Sequence, residues 1–155
     1  MEQRLDYKEH APEGFKALLK LEHYIHHSGL EGSLLELVKT RASQINHCAW
    51  CLDMHTKDAR AAGESEQRLY LLPAWREAPF YSQRERAALA WTEAVTLVAQ
   101  DEFSDELYAE MRRHFSEKEL VDLTLAIVAI NGWNRLNVPF RTTVGAYQPA
   151  ARATS

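Results

Sequence analysis

The stretch Leu34-Leu35-Glu36-Leu37-Val38-Lys39-Thr40-Arg41-Ala42-Ser43-Gln44-Ile45-Asn46-His47-Cys48-Ala49-Trp50-Cys51-Leu52-Asp53-Met54-His55 decides the fold. Its first half gathers Leu34, Leu35, Val38, Ala42 and Ile45 on one face at the helical period, which predicts a helix from about Glu31 to Ile45. Its second half predicts another helix, beginning at His47 or Cys48 and stopping at Gly63, a natural C-terminal cap. On a helical wheel Cys48, Cys51 and His55 share an arc of about 60°, with Leu52, Ala59 and Ala62 beside them. Asp53, Thr56, Lys57 and Arg60 occupy the polar arc. Two thiols and an imidazole therefore point toward the interior.

The rest of the chain reads the same way. No segment shows sustained period-two alternation between turn signals, so no sheet is expected. A first helix begins near Pro12 and ends at Ser28-Gly29, and a short one runs from Ser65 to Leu72 before Pro73. Ser82 with Glu85 forms a capping box for a helix whose core stripe is Ala87, Ala88, Trp91, Ala94, Val95 and Val98. A further helix from Asp105 to His114 is expected to bury Leu107, Tyr108 and Met111. The last opens on a second capping box, Ser116 with Glu119, and Phe115 can staple to Leu120 across it. It is apolar nearly all round through Leu120, Val121, Leu123, Leu125, Ile127, Val128 and Ile130. Such a helix must be surrounded by its own bundle or by a neighbouring subunit, so a homo-oligomer is expected. Asn131, Trp133, Asn134 and Arg135 read as the end of that helix, and the tail after Gln148 as disordered. The expectation is an all-α, single-domain bundle of about seven helices spanning residues 1–155, with its core over about 12–147.

Composition narrows the function. A chain of 155 residues is long enough to bury roughly 70% of its unfolded surface without disulfide staples. A formal charge of −4 gives no electrostatic reason to expect nucleic acid or an anionic membrane as partner. The polar start Met1-Glu2-Gln3-Arg4-Leu5-Asp6 does not look like a signal peptide, and the Leu123–Ile130 stretch is far too short to span a bilayer. A cytoplasmic location is the default. Only two cysteines occur, both in Cys48-Ala49-Trp50-Cys51. In a reducing compartment such a pair serves redox chemistry or metal rather than a structural scaffold.

Redox chemistry follows from the spacing. A free thiol with pKa about 8.5 is only a few per cent thiolate at neutral pH. Cys48 lies at a helix N-terminus, which stabilises an anion, while His55 lies one turn beyond Cys51 and can accept or return its proton. A C-x-x-C pair closes a small disulfide ring with little motion, so an oxidised thiol is resolved by its neighbour. Two other readings stand beside this one. Cys48, Cys51 and His55 could hold a metal with Glu36 or His47 as fourth ligand, although no second ligand pair is visible in the sequence. The thiols could also be inert core residues. Glu36 itself falls opposite the apolar stripe of its helix and alone reads as a solvated glutamate. Arg41 sits on the apolar flank of the same helix and needs a carboxylate partner. No Gly-rich phosphate loop or nucleophile elbow appears, and no cofactor is expected.

Glu36, Cys48-Ala49-Trp50-Cys51 and His55 resemble the signature of the alkylhydroperoxidase D-like branch of the carboxymuconolactone decarboxylase family. The segments Leu34–Asn46, Asp53-Met54-His55-Thr56, Phe80–Leu89 and Ala129–Leu136 resemble the family's core as well, so the likeness covers most of Leu34 to Phe140. It implies an all-helical domain that oligomerises, as a trimer or hexamer or as a dimer. It also implies reduction of a peroxide substrate, or of a partner's disulfide, with electrons from a dithiol reductant such as a lipoyl-bearing or thioredoxin-like protein. In the family's scheme the second cysteine attacks and the first resolves, which here assigns Cys51 and Cys48. The proton relay maps onto His55 and Glu36. The decarboxylase branch generally lacks the cysteine pair, so its activity is not expected. The position before Cys51 is Trp50, where characterised peroxidase members carry a histidine that helps the relay. The competing function classes are a non-enzymatic redox sensor or binding scaffold, and a metal-binding protein through Cys48, Cys51 and His55.

Overall fold

Helix α3, Gly32–Ile45, is the centre of the architecture: it touches α4, α6 and α8 along its length. The structure, a computed structural model, describes residues 2–100 and 103–149. In order, the other helices are α1 Tyr7–His10, α2 Pro12–His26, α4 Ala49–Ala61, α5 Glu66–Leu71, α6 Gln83–Thr96, α7 Asp105–His114 and α8 Glu117–Phe140. A single 3-10 turn, Leu72–Ala74, follows α5, and no strand occurs among the described residues. The all-α expectation holds. Among the described residues the count rises from seven to eight because α1 is one turn long, capped by Asp6, and carries no periodic signal of its own. No helix among the described residues is long and apolar enough to cross a membrane.

The main core is made where α2, α3, α6, α7 and α8 converge. Ile25, Leu35, Val38, Ala88, Met111, Leu123, Ala126 and Ile127 are fully enclosed there. Both capping boxes form, and Phe115 and Leu120 are both buried beside the second, as a staple requires. Three sequence expectations fail, two of them at the surface. Val98 lies beyond the end of α6 and is 63% exposed, and Tyr108 on α7 is 51% exposed. Met111, expected inside together with Tyr108, is fully buried. The third concerns α8, which continues past Arg135 to Phe140 with Pro139 inside its last turn. Asn131 and Asn134 are therefore interior residues of a long helix. The expected disordered tail falls almost wholly on residues 150–155, outside the described residues.

Those asparagines fix the junction between α3 and α4. Asn46, the C-cap of α3, donates its side-chain amide to Asn131 at 2.9 Å and Asn134 at 2.8 Å. Asn134 donates in turn to Ser43 at 3.1 Å, and Asn131 to Thr96 at 3.1 Å. The chain then reverses at His47, whose φ of 53° is left-handed. Cys48 N–H closes back on Ser43 C=O and His47 N–H on Gln44 C=O, the pair of bonds that ends a helix in a Schellman motif. Glycine fills the matching position after α4, Gly63 with φ 97°. At His47 a side chain is accommodated there at some conformational cost. The result is a connection so short that Cys48 leaves one helix and immediately caps the next.

Candidate active site

Cys48 is the N-cap of α4 rather than a residue of its first turn, and its sulfur accepts from Cys51 N–H at 3.4 Å. Cys51 follows in the first turn of α4 and is joined to Cys48 in a disulfide with Cα atoms 5.4 Å apart. The pair is enclosed by Ala42 of α3 and Ile130 of α8, with Trp50 and Trp133 against it. Both cysteines are essentially without solvent exposure in this oxidised form.

His55 is buried one turn beyond Cys51, and its Nδ1 lies 2.8 Å from Oε2 of Glu36. The contact exists because α4 packs along the face of α3 opposite the main core, so the glutamate that looked solvated lies between two helices. A carboxylate partner makes Nδ1 the protonated nitrogen and leaves the Nε2 lone pair free to accept a proton. All four residues singled out in the sequence thus meet at one place.

Sequence reasoning missed three contributors. Asn137, 3% exposed on the extended part of α8, donates its amide to Cys51 Sγ at 3.5 Å. Tyr7 of the unforeseen α1 donates to the carbonyl oxygen of that amide at 3.0 Å and so orients it. Asp58, one turn beyond His55, comes within 4.8 Å of Glu36 and His55 through its carboxylate. Tyr147 donates to both oxygens of Asp58, at 2.7 and 2.9 Å, and burial together with that carboxylate pushes its phenol up to about 12. The segment after α8 is strapped along α4 by these bonds, by Lys57 Nζ on Tyr147 C=O, and by Gly145 N–H on Asp53. A 3.6-residue repeat from His55 was the only signal for Asp58. None existed for Tyr7 or Asn137, which are 130 residues apart.

The site opens into a cavity of about 330 Å³ whose walls include Phe15, Leu19, Trp50, Met54, Ile130 and Trp133, with Cys51, His55 and Glu36 at its floor. Lys39, 1% exposed, is held there by Glu22 at 2.6 Å, and Trp133 donates to the same carboxylate at 2.9 Å. Arg41, whose partner the sequence left open, binds Glu93 at 2.8 Å. Glu93 also receives Arg76 and Trp75, and despite burial these donors hold its carboxyl below the usual range. Arg41 is therefore structural. As for the metal reading, the two sulfurs are bonded to each other. The His/Cys/Asp/Glu group whose ligand atoms converge among the described residues is Glu36, His55 and Asp58.

Comparison with known proteins places the chain. The model of the carboxymuconolactone decarboxylase family matches residues 12–94. The chain is 49% identical over 138 residues to YdfG of Bacillus subtilis (strain 168), an uncharacterised protein, covering 89% of this chain and 94% of that one. It is 46% identical, with a TM-score of 0.90, to a crystal structure of an Agrobacterium tumefaciens protein of unknown function described as a candidate antioxidant defence protein AhpD. That match covers 94% of this chain and 100% of the other. The debrominase Bmp8 shares the fold at a TM-score of 0.77 and 21% identity, over 87% of this chain and 73% of that one.

Proposed function

This chain belongs to the carboxymuconolactone decarboxylase family, and on that premise we propose that it is a dithiol-dependent peroxidase working through Cys51, Cys48, His55 and Glu36. The observation that carries the reading is the Glu36–His55 pair at 2.8 Å, set one turn beyond a cysteine pair at the floor of an apolar cavity.

In the reduced protein His55 Nε2 takes the proton of Cys51. The thiolate attacks the terminal oxygen of a hydroperoxide, the O–O bond breaks, and the alkoxide leaves with a proton returned by His55. Cys51 is then a sulfenic acid. Cys48, held at the N-terminus of α4, attacks Cys51 Sγ and expels water, forming the disulfide. A dithiol then returns two electrons and two protons. Glu36 holds His55 in one tautomer and orientation through each transfer.

The cavity walls favour an organic hydroperoxide with an apolar body over hydrogen peroxide alone. Exposed Val98 just past α6, Tyr108 on α7, and Val121 and Val128 on α8 support assembly into a homo-oligomer. Consumption of cumene hydroperoxide in the presence of dithiothreitol tests the activity. Turnover lost on replacing either cysteine is expected, and a wild-type protein that consumes no peroxide under these conditions contradicts it.

A further inference from the structure

The disulfide separates two cavities. Cys51 lines the one that holds His55 and Glu36. Cys48 lines a second, of about 440 Å³, together with His47, Ala49, Asn137, Arg141 and Thr143. Trp50 borders both and forms the partition.

Thiol–disulfide exchange is directional. The incoming sulfur, the sulfur attacked and the sulfur expelled approach a line, so the sulfur attacked is decided by the side from which access exists. A nucleophile in the first cavity meets Cys51, and one in the second meets Cys48. The two cavities also differ in charge. The lining of the first sets three carboxylates, Glu22, Glu36 and Asp58, against two lysines, Lys8 and Lys39, the latter already paired with Glu22, so on balance it is acidic and less favourable to a thiolate. The lining of the second includes Arg141 and His47 and, among the described residues, no Asp or Glu. The leaving group is prepared as well, since Asn137 already donates to Cys51 Sγ, and a stabilised thiolate leaves faster.

We propose that the second cavity is the binding site of the reducing dithiol, which attacks Cys48 while peroxide is handled from the opposite side at Cys51. This rests on the reading of the pair as a two-electron redox centre. The incoming thiolate bonds to Cys48 Sγ, the Cys48–Cys51 bond breaks, and Cys51 departs as a thiolate. The second thiol of the reductant then attacks its own partner sulfur, closing a cyclic disulfide and releasing Cys48. The two thiol protons of the reductant end on the two cysteines. One face can therefore accept a reductant while the other holds substrate.

The test begins from the oxidised protein and needs no peroxide. A brief exposure to 2-mercaptoethanol, quenched with acid and mapped by mass spectrometry, places the mixed disulfide on Cys48. A dominant adduct on Cys51 overturns the assignment. Thr143→Phe, which narrows the second cavity, slows reduction by dithiothreitol several-fold more than Leu19→Phe, which narrows the first. The reverse order overturns it. Repeating the comparison with a protein-borne dihydrolipoyl arm separates a carried dithiol from a free one, and with either source the Thr143 variant is the slower. A protein that turns over no peroxide but still gives the Cys48 adduct retires the peroxidase reading and leaves this site standing.

Discussion

Asn137 Nδ2 lies 3.5 Å from Cys51 Sγ, fixed in that orientation by the Tyr7 hydroxyl on its other end. A buried amide donor aimed at a sulfur strengthens when that sulfur ionises, since hydrogen bonds to charged groups contribute about 1.5–3 kcal/mol. Asn137→Ala is therefore expected to raise the pKa of Cys51 and slow its reaction at pH 7 by about tenfold or more. Tyr7→Phe, which only frees the amide to turn, costs less. The pH dependence of iodoacetamide labelling in the reduced protein reads both.

The Glu36–His55 pair predicts a graded loss. His55→Ala slows oxidation of Cys51 by roughly a hundredfold or more, the usual range for a lost general base. Glu36→Gln slows it less, because the imidazole remains. The His55→Ala deficit shrinks as pH rises past about 8.5, where the thiol ionises unaided. Stopped-flow oxidation across pH 6–10 distinguishes this from a packing role, which leaves the variant equally slow at every pH.

The exposed apolar residues of α8 predict assembly. Sedimentation at micromolar concentration is expected to show an oligomer, and Val121→Glu combined with Val128→Glu to weaken it without loss of helix signal. These two residues are 59% and 51% exposed, so a charge there is tolerated by the isolated chain. A wild-type monomer contradicts the prediction.

Acid stability has a local source in the second capping box. Ser116 backbone N–H and hydroxyl, followed by Arg84, lower the Glu119 carboxyl from 4.5 to about 2. The group is depressed in the folded state, so its stabilisation is present above about pH 4.5 and is lost as pH falls toward about 2. Glu119→Gln keeps a capping oxygen but removes the charge. Its deficit in melting temperature is expected to be full at pH 6 and to fade through that window. A deficit that is unchanged at pH 2 contradicts the assignment.

Local signals made most of the bundle legible. Ser82, Ser116, Gly63 and the stripe of α3 each mark an element by chemistry within a few residues, and each element lies where its cap or period put it. Long-range packing was not legible. Nothing near Asn131 or Asn134 indicates that they bind the α3–α4 junction, so α8 read as ending where it continues. Val98 and Tyr108 have the hydrophobicity of core residues yet lie at the surface, Val98 because α6 ends at Thr96 before reaching it. At the site, the helical period brought Cys48, Cys51 and His55 to one face, whereas Glu36 needed the family resemblance. Its burial depends on α4 covering the polar side of α3, which a wheel for α3 alone does not contain.

The central claim is that Cys51 attacks and Cys48 resolves. It is tested most directly by dimedone trapping after one equivalent of hydroperoxide on the two single-cysteine variants, followed by mass spectrometry. Cys48→Ser is predicted to carry a stable sulfenic acid on Cys51 that dimedone labels, without catalytic turnover, while Cys51→Ser gives no label. Labelling of Cys48 in Cys51→Ser, with none in Cys48→Ser, contradicts the account and makes the helix N-cap rather than the His55 relay the source of reactivity.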